Sequence, residues 1–176
     1  YAAFSCARKA ADEFDGKLIA YDLGPIGKLI KPMGSLDFED AVNAFAPCVK
    51  AAVKYGADLV IIETMNDSME TKAAVLAVKE NSDLPFIVSN AYDERQKLMT
   101  GADPEAMTAL AESMGAAAVG MNCSFGPDKM IPVLKRMMKA ASIPVIVMPN
   151  AGLPKIENGR TVYDITPDSF GDIMAE

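Results

Sequence analysis

Five short apolar runs punctuate the chain, and each is followed by a longer segment in which apolar residues recur every three to four positions. The runs are KLIAYDLG from Lys17, DLVIIET from Asp58, PFIVSNAY from Pro85, AAAVGMNCS from Ala116 and PVIVMPNAG from Pro144. They are continuously apolar rather than alternating, which is how strands covered on both faces of a parallel sheet read. The segments SLDFEDAVNAFAPCVKAAVKYG, NDSMETKAAVLAVKEN, GADPEAMTALAESMG and GPDKMIPVLKRMMKAAS have helical spacing instead. Ser35 and the Asp103-Pro104 pair mark starts, and Gly56, Asn81, Gly115 and Ser142 mark ends. Pro47 and Pro132 fall within these patterns, with Pro132 expected in a first turn.

Strict alternation of strand and helix predicts an α/β fold with a parallel sheet, either doubly wound or a (β/α)8 TIM barrel. Two features favour the barrel. Polar residues cluster at the strand ends: Asp22; Glu63 and Thr64; Asn90; Asn122, Cys123 and Ser124; and Asn150. In a barrel all those ends converge on one face, where active sites are built. In addition, no glycine-rich phosphate turn follows the first strand, as a dinucleotide-binding fold would require. Residues 152–167 read as a long loop with a tight turn at Glu157, Asn158 and Gly159, over the barrel mouth.

With 176 residues, 51% of them hydrophobic, the chain can bury a core without disulfides. Five β/α units are nonetheless too few for a closed barrel, which takes roughly 250 residues. An incomplete barrel, a single partial domain over residues 1–176 truncated at both ends, is therefore expected; the start at Tyr1 and the unfinished helical segment SFGDIMAE fit that expectation. A net charge of −7 offers no attraction to nucleic acid or to an anionic membrane, and no run approaches the ~20 apolar residues of a membrane span. The absence of histidine excludes imidazole-based catalysis and ligation from this chain. Three cysteines, widely spaced and with no C-x-x-C pair, point to a reducing cytoplasm rather than a disulfide framework.

Cys123 ends a buried strand between Asn122 and Ser124, where a thiol is placed for chemistry; its plain alternative is a packed small hydrophobe. Cys6 and Cys48, among Ala, Phe and Val in helical patterns, are expected in the core. Glu63 follows the four apolar residues LVII, and a carboxylate buried there needs a partner such as an amine, a metal or backbone donors. Asn150 is a polar strand end that local turn chemistry would also explain. Glu70, Lys72, Lys79 and Glu80 read as solvated helix surface, and Met130, Met137, Met138 and Met148 as core filling.

Taken in order, YDLGPIGKLIKPMG, DLVIIETMNDSMETKAAVLAVKE, GADPEAM, VGMNCSFGP and MPNAGLPKIENGRTVYDITP resemble the homocysteine-binding domain of cobalamin-dependent methionine synthases over essentially the whole chain. The related zinc methyltransferases that use betaine or S-methylmethionine share the N-C motif, but the stretch from Pro149 to Pro167 looks most like the methionine synthase branch. The resemblance implies strands three to seven of eight and a zinc-dependent homocysteine S-methyltransferase. In that family the substrate sulfur joins a zinc ion held by three cysteines. Cys123 matches the first of them; the adjacent pair that supplies the other two has no counterpart in this sequence. Glu63 matches the residue that holds the homocysteine amino group, and Asn150 one that ligates zinc when substrate is absent. Asp22, Asn122 and Asn150, at strand ends, complete with Glu63 the expected substrate-binding set. The methyl donor implied is methylcobalamin on a separate corrinoid domain, recharged by a methyltetrahydrofolate domain. The chemistry is coherent: a free thiol of pKa about 8.5 is mostly protonated at neutral pH, and zinc coordination makes it a thiolate. With one ligating cysteine, the 176 residues alone are expected to be inactive. A non-catalytic amino-acid-binding barrel fragment is the alternative from another class.

Overall fold

The structure, a computed structural model, describes residues 2–175. Its elements in order are α1 (Ala2–Ala11), β1 (Ala20–Leu23), α2 (Phe38–Lys54), β2 (Leu59–Met65), α3 (Ser68–Asn81), β3 (Phe86–Asn90), α4 (Pro104–Ser113), β4 (Ala118–Cys123), α5 (Pro127–Ala140), β5 (Val145–Pro149), β6 (Lys155–Glu157), β7 (Arg160–Val162) and α6 (Pro167–Ala175). Each of the five apolar runs forms a strand, and each helical pattern forms a helix.

The first five strands make one parallel sheet in the order β1-β2-β3-β4-β5. Every crossover therefore steps to the adjacent strand in the same direction. A doubly wound sheet reverses direction at a switch point, whereas a barrel does not. This winding, five consecutive β/α units of an incomplete (β/α)8 barrel, settles the choice that periodicity left open.

Register separates the two faces of the sheet. Leu23, Ile62, Val88 and Val119 form one row across the strands and are buried in a single cluster with Val42 and Phe45 of α2 and Val75 of α3. The adjacent row, Asp22, Ile61, Ile87 and Ala118, points to the opposite, inner face and lies outside that cluster. Ile61 and Ile87 are only half-buried there, and Met148 of β5 is exposed. Coverage of both faces, expected from the continuous apolar runs, is complete on the helical side and only partial on the inner face, where Ala118, Ser89 and Asn122 are buried but five strands leave the flanks open.

Several local expectations are corrected. α2 begins at Phe38 with Asp37 rather than Ser35 before it, and the Asp37 carboxylate is occupied by Lys31 at 2.8 Å. Pro132 is the sixth residue of α5, beyond its first turn, and Pro47 lies inside α2. Both helices bury an apolar face large enough to outweigh the roughly 3 kcal/mol an interior proline costs. Residues 152–167 contain a hairpin of β6 and β7 rather than a plain loop. The tight turn is present, with Asn158 and Gly159 at φ 50° and 74°, the paired left-handed conformations of a type I′ turn. Asp164 pairs with Lys155 at 2.8 Å, and Ile165 lies so near Gly126 that a side chain at Gly126 would collide with it. The Asp103 cap is as expected: its carboxylate accepts from the Ala106 N–H at 2.9 Å, with Pro104 in the first turn.

Cys6 and Cys48 are both exposed, against the expectation of core positions. α1 has no buried residue, and the buried row of α2 runs through Val42, Phe45, Val49 and Ala52, leaving Cys48 beside it. Cys48 instead meets Tyr21, whose hydroxyl is pushed up to about 12, first by burial and then by that hydrogen bond. Met130 and Met137 fill the core as expected, but Met138 and Met148 are exposed, Met138 lining an open cavity beside Val145 and Val147 of β5.

Candidate functional site

The carboxyl ends of β2 and β4 carry the most constrained backbone in the sheet. Thr64, Cys123 and Ser124 adopt left-handed conformations, with φ of 60°, 56° and 61°. None is glycine, so each costs of order 1 kcal/mol and persists only where its surroundings enforce it. At β2 a register shift against β3 between Ile62 and Met65 accompanies it and brings Thr64 round to β4, beside Glu63, which faces inward by strand alternation from Ile61.

Asn122 organises the cluster. It is 2% exposed. Its Oδ1 accepts from the Thr64 N–H at 3.1 Å and from the Ser89 hydroxyl at 2.7 Å. Its Nδ2 lies 2.6 Å from Thr64 Oγ1 and 3.3 Å from both Glu63 Oε1 and Cys123 Sγ. A backbone N–H can only donate, so the Thr64 amide fixes the orientation of the Asn122 side chain: oxygen towards Thr64 N and Ser89, nitrogen towards Glu63 and Cys123. Thr64 Oγ1, accepting from Asn122, also lies 3.9 Å from Cys123 Sγ, a pair in which either group can donate. One nitrogen thus bridges a carboxylate and a sulfur at the mouth of the sheet.

The Glu63 carboxyl is pushed above its usual range by burial and then by the negative charge of Asp22. A group in that state gains from a cationic partner. Asp22 stands exposed on the neighbouring strand. Asn150 follows Pro149, the register partner of Cys123, and its backbone N–H donates to the Phe125 carbonyl at 2.9 Å. Its side chain is not among the hydrogen-bonded groups of the cluster. The structure therefore joins Glu63, Asn122 and Cys123 directly, sets Asp22 within electrostatic reach and puts Asn150 at the adjoining strand end. Sequence reasoning missed Ser89, whose one local signal was a lone hydroxyl inside PFIVSN.

The expectation of a solvated surface fails at Glu70, which is 3% exposed. Its carboxylate reaches from the first turn of α3 to accept from the Ile26 N–H at 2.6 Å, fastening the loop after β1 onto the strand ends. Burial, the largest influence, raises its pKa; the Ile26 hydrogen bond opposes this. A raised carboxyl pKa means that the folded state binds the proton more readily. The contribution to stability is then largest below the ordinary glutamate value of about 4.3 and is lost as pH rises through the raised folded value. Glu70→Gln keeps an oxygen for Ile26 and removes the charge. Urea midpoints between pH 4 and 7 are expected to show wild type losing stability relative to this variant as pH rises across that window. A flat difference would mean that Glu70 is not strained by burial.

The family model for homocysteine S-methyltransferase matches residues 1–176. The chain belongs to the homocysteine S-methyltransferase family. Among proteins similar to it are the methionine synthases of Mycobacterium leprae, 30% identical, and Mycobacterium tuberculosis, 28% identical, each over 96% of this chain. The chain spans 15% of the length of these relatives. The metallated form of the homocysteine methyltransferase MmuM from Escherichia coli shares the fold, with a TM-score of 0.69 at 23% identity over 84% of this chain and 54% of that one.

For a homocysteine S-methyltransferase, a metal is the group to test against the side chains. Among the described residues no three His, Cys, Asp or Glu side chains converge to hold one. Cys123 has the chemistry of a single sulfur ligand, with N–H and O–H donors turned towards its Sγ as outer partners of a ligating thiolate are. A catalytic zinc site takes three protein ligands, so these residues fit one corner of such a site and do not complete it.

Proposed function

We propose that residues 1–176 are one partial homocysteine-binding barrel domain, strands three to seven of eight, of a zinc-dependent methionine synthase. The observation that carries the reading is the single Asn122 nitrogen set 3.3 Å from both the Glu63 carboxylate and the Cys123 sulfur. Homocysteine carries an ammonium and a thiol two methylenes from its α-carbon, and the cluster offers an anion for the first beside a sulfur ligand position for the second. Glu63, kept short of a cation by burial and Asp22, receives the ammonium, with Asn122 and Asp22 flanking it. Cys123 is one thiolate ligand of the zinc, Asn150 stands beside that position, and the other ligands come from outside these residues. When bound, zinc would supply the Lewis acidity that keeps the substrate sulfur deprotonated.

The methyl group comes from methylcobalamin on a corrinoid domain, recharged by a methyltetrahydrofolate domain; similarity to methionine synthases favours this donor over betaine or S-methylmethionine. Free thiols at Cys6 and Cys48 fit a reducing cytoplasm, and none of the described helices is long and apolar enough to cross a membrane.

The test is homocysteine binding by calorimetry, and methyl transfer from methylcobalamin, in the full-length protein. Glu63→Gln is expected to raise KM for homocysteine by about 10-fold or more, the worth of a hydrogen bond to a charged group. An unchanged KM in Glu63→Gln would remove the ammonium assignment, and a wild-type protein that binds no homocysteine would remove the function.

A further inference from the structure

Ser89 lies in the middle of the sheet, fully buried, and donates its hydroxyl to Asn122 Oδ1 at 2.7 Å. We infer that Ser89 is a positioning residue: acting through Asn122, it holds the side-chain amide turned so that both N–H hydrogens face the Glu63, Thr64 and Cys123 side. The inference rests on the functional reading above and adds to it a residue that touches neither the substrate nor the metal ligand.

The geometry is directional. Asn122 Nδ2 has two hydrogens and three acceptors within 3.3 Å, namely Thr64 Oγ1, Glu63 Oε1 and Cys123 Sγ. Small rotations of the amide therefore decide which of them are served. Two donors grip the oxygen from different strands, the Thr64 N–H from β2 and the Ser89 O–H from β3, and two grips fix a plane where one leaves a hinge. Ser89 reaches Asn122 diagonally across the β3–β4 pair, its register partner on β4 being Gly120, two residues before Asn122. A serine wanted only for packing would be replaced at no loss by alanine; here its proton points at the amide that faces the sulfur.

The experiment is a double-mutant cycle in the full-length protein with Ser89→Ala, Asn122→Ala and both. It reads kcat/KM for homocysteine and, separately, the rate at which zinc passes to a chelator. Ser89→Ala is expected to lower kcat/KM and to speed zinc release, each about 3- to 10-fold, the range for one neutral hydrogen bond. In the Asn122→Ala background the same change is expected to have no further effect on either reading, since its route of action is gone. Equal losses in both backgrounds would assign Ser89 a packing role and overturn the inference, as would an unchanged Ser89→Ala protein. If the wild type itself neither binds homocysteine nor holds zinc, the functional reading falls, and this inference with it. A wild type that does both, with an inert Ser89→Ala, overturns the inference alone.

Discussion

Cys123→Ala in the full-length protein is expected to lower homocysteine methylation by more than about 100-fold while leaving the fold intact. Removing an outer partner of a metal ligand already costs about 10- to 100-fold in metal affinity or activity, so removing a ligand sets that as the floor. Cys123→Ser is expected to fare little better, because a hydroxyl is a poor substitute for the soft thiolate that zinc favours. Neither variant is expected to lower the melting temperature much. Cys123 is half-buried, at a strand end, and no larger group takes the place of its sulfur. Its left-handed backbone disfavours Ala and Ser much as it does Cys, so the substitutions add little strain there. Zinc content, melting temperature and turnover measured together decide the matter. Retained zinc and activity in Cys123→Ala would dismiss the residue as a ligand, and a collapsed melting temperature would make it a packing residue after all.

What the sequence disclosed and what it withheld divide along a physical line. The five strands were legible because each apolar run is bounded by Pro, Gly or Asp and followed by a helix with its own periodicity, signals that need no tertiary information. Asp103 was legible for the same reason, a local cap before Pro104. Glu63 and Cys123 stood out because a charged group and a thiol end otherwise apolar runs. Ser89 did not, since its role depends on Asn122, a residue 33 positions away that becomes its neighbour only once β3 and β4 are in register. Glu70 was misread because a helix's first turn is ordinarily wet; its burial comes from the loop after β1, which the helical pattern of α3 says nothing about. Cys48 was misplaced by a single helical step, about 100° of rotation from Val49. The hairpin after β5 escaped for another reason: its strands are three residues each and almost wholly exposed, too short for alternation to register, although the Asn158-Gly159 turn itself was plain.

Gly120→Ala is expected to cost at least about 3 kcal/mol of stability, the upper part of the range for forcing extra atoms into a packed interior. Gly120→Val is expected to yield no folded protein. β4 is flanked on both sides, by β3 and β5, and a Cβ at position 120 would run into the carbonyl of Ile146, its register partner on β5. The obstacle is backbone, which cannot swing aside as the end of a side chain can, so β5 itself must shift. The consequence for the site follows from register. Cys123 pairs with Pro149, and Asn150 comes next, so a displaced β5 moves Asn150 relative to the end of β4. Chemical denaturation with far-UV circular dichroism measures the first effect. The second is read in whatever Gly120→Ala protein remains folded: zinc release to a chelator is expected to be faster than in wild type, because the substitution displaces the strand that carries Asn150. A Gly120→Ala protein as stable as wild type would mean that β4 and β5 do not approach as closely as their paired backbones require.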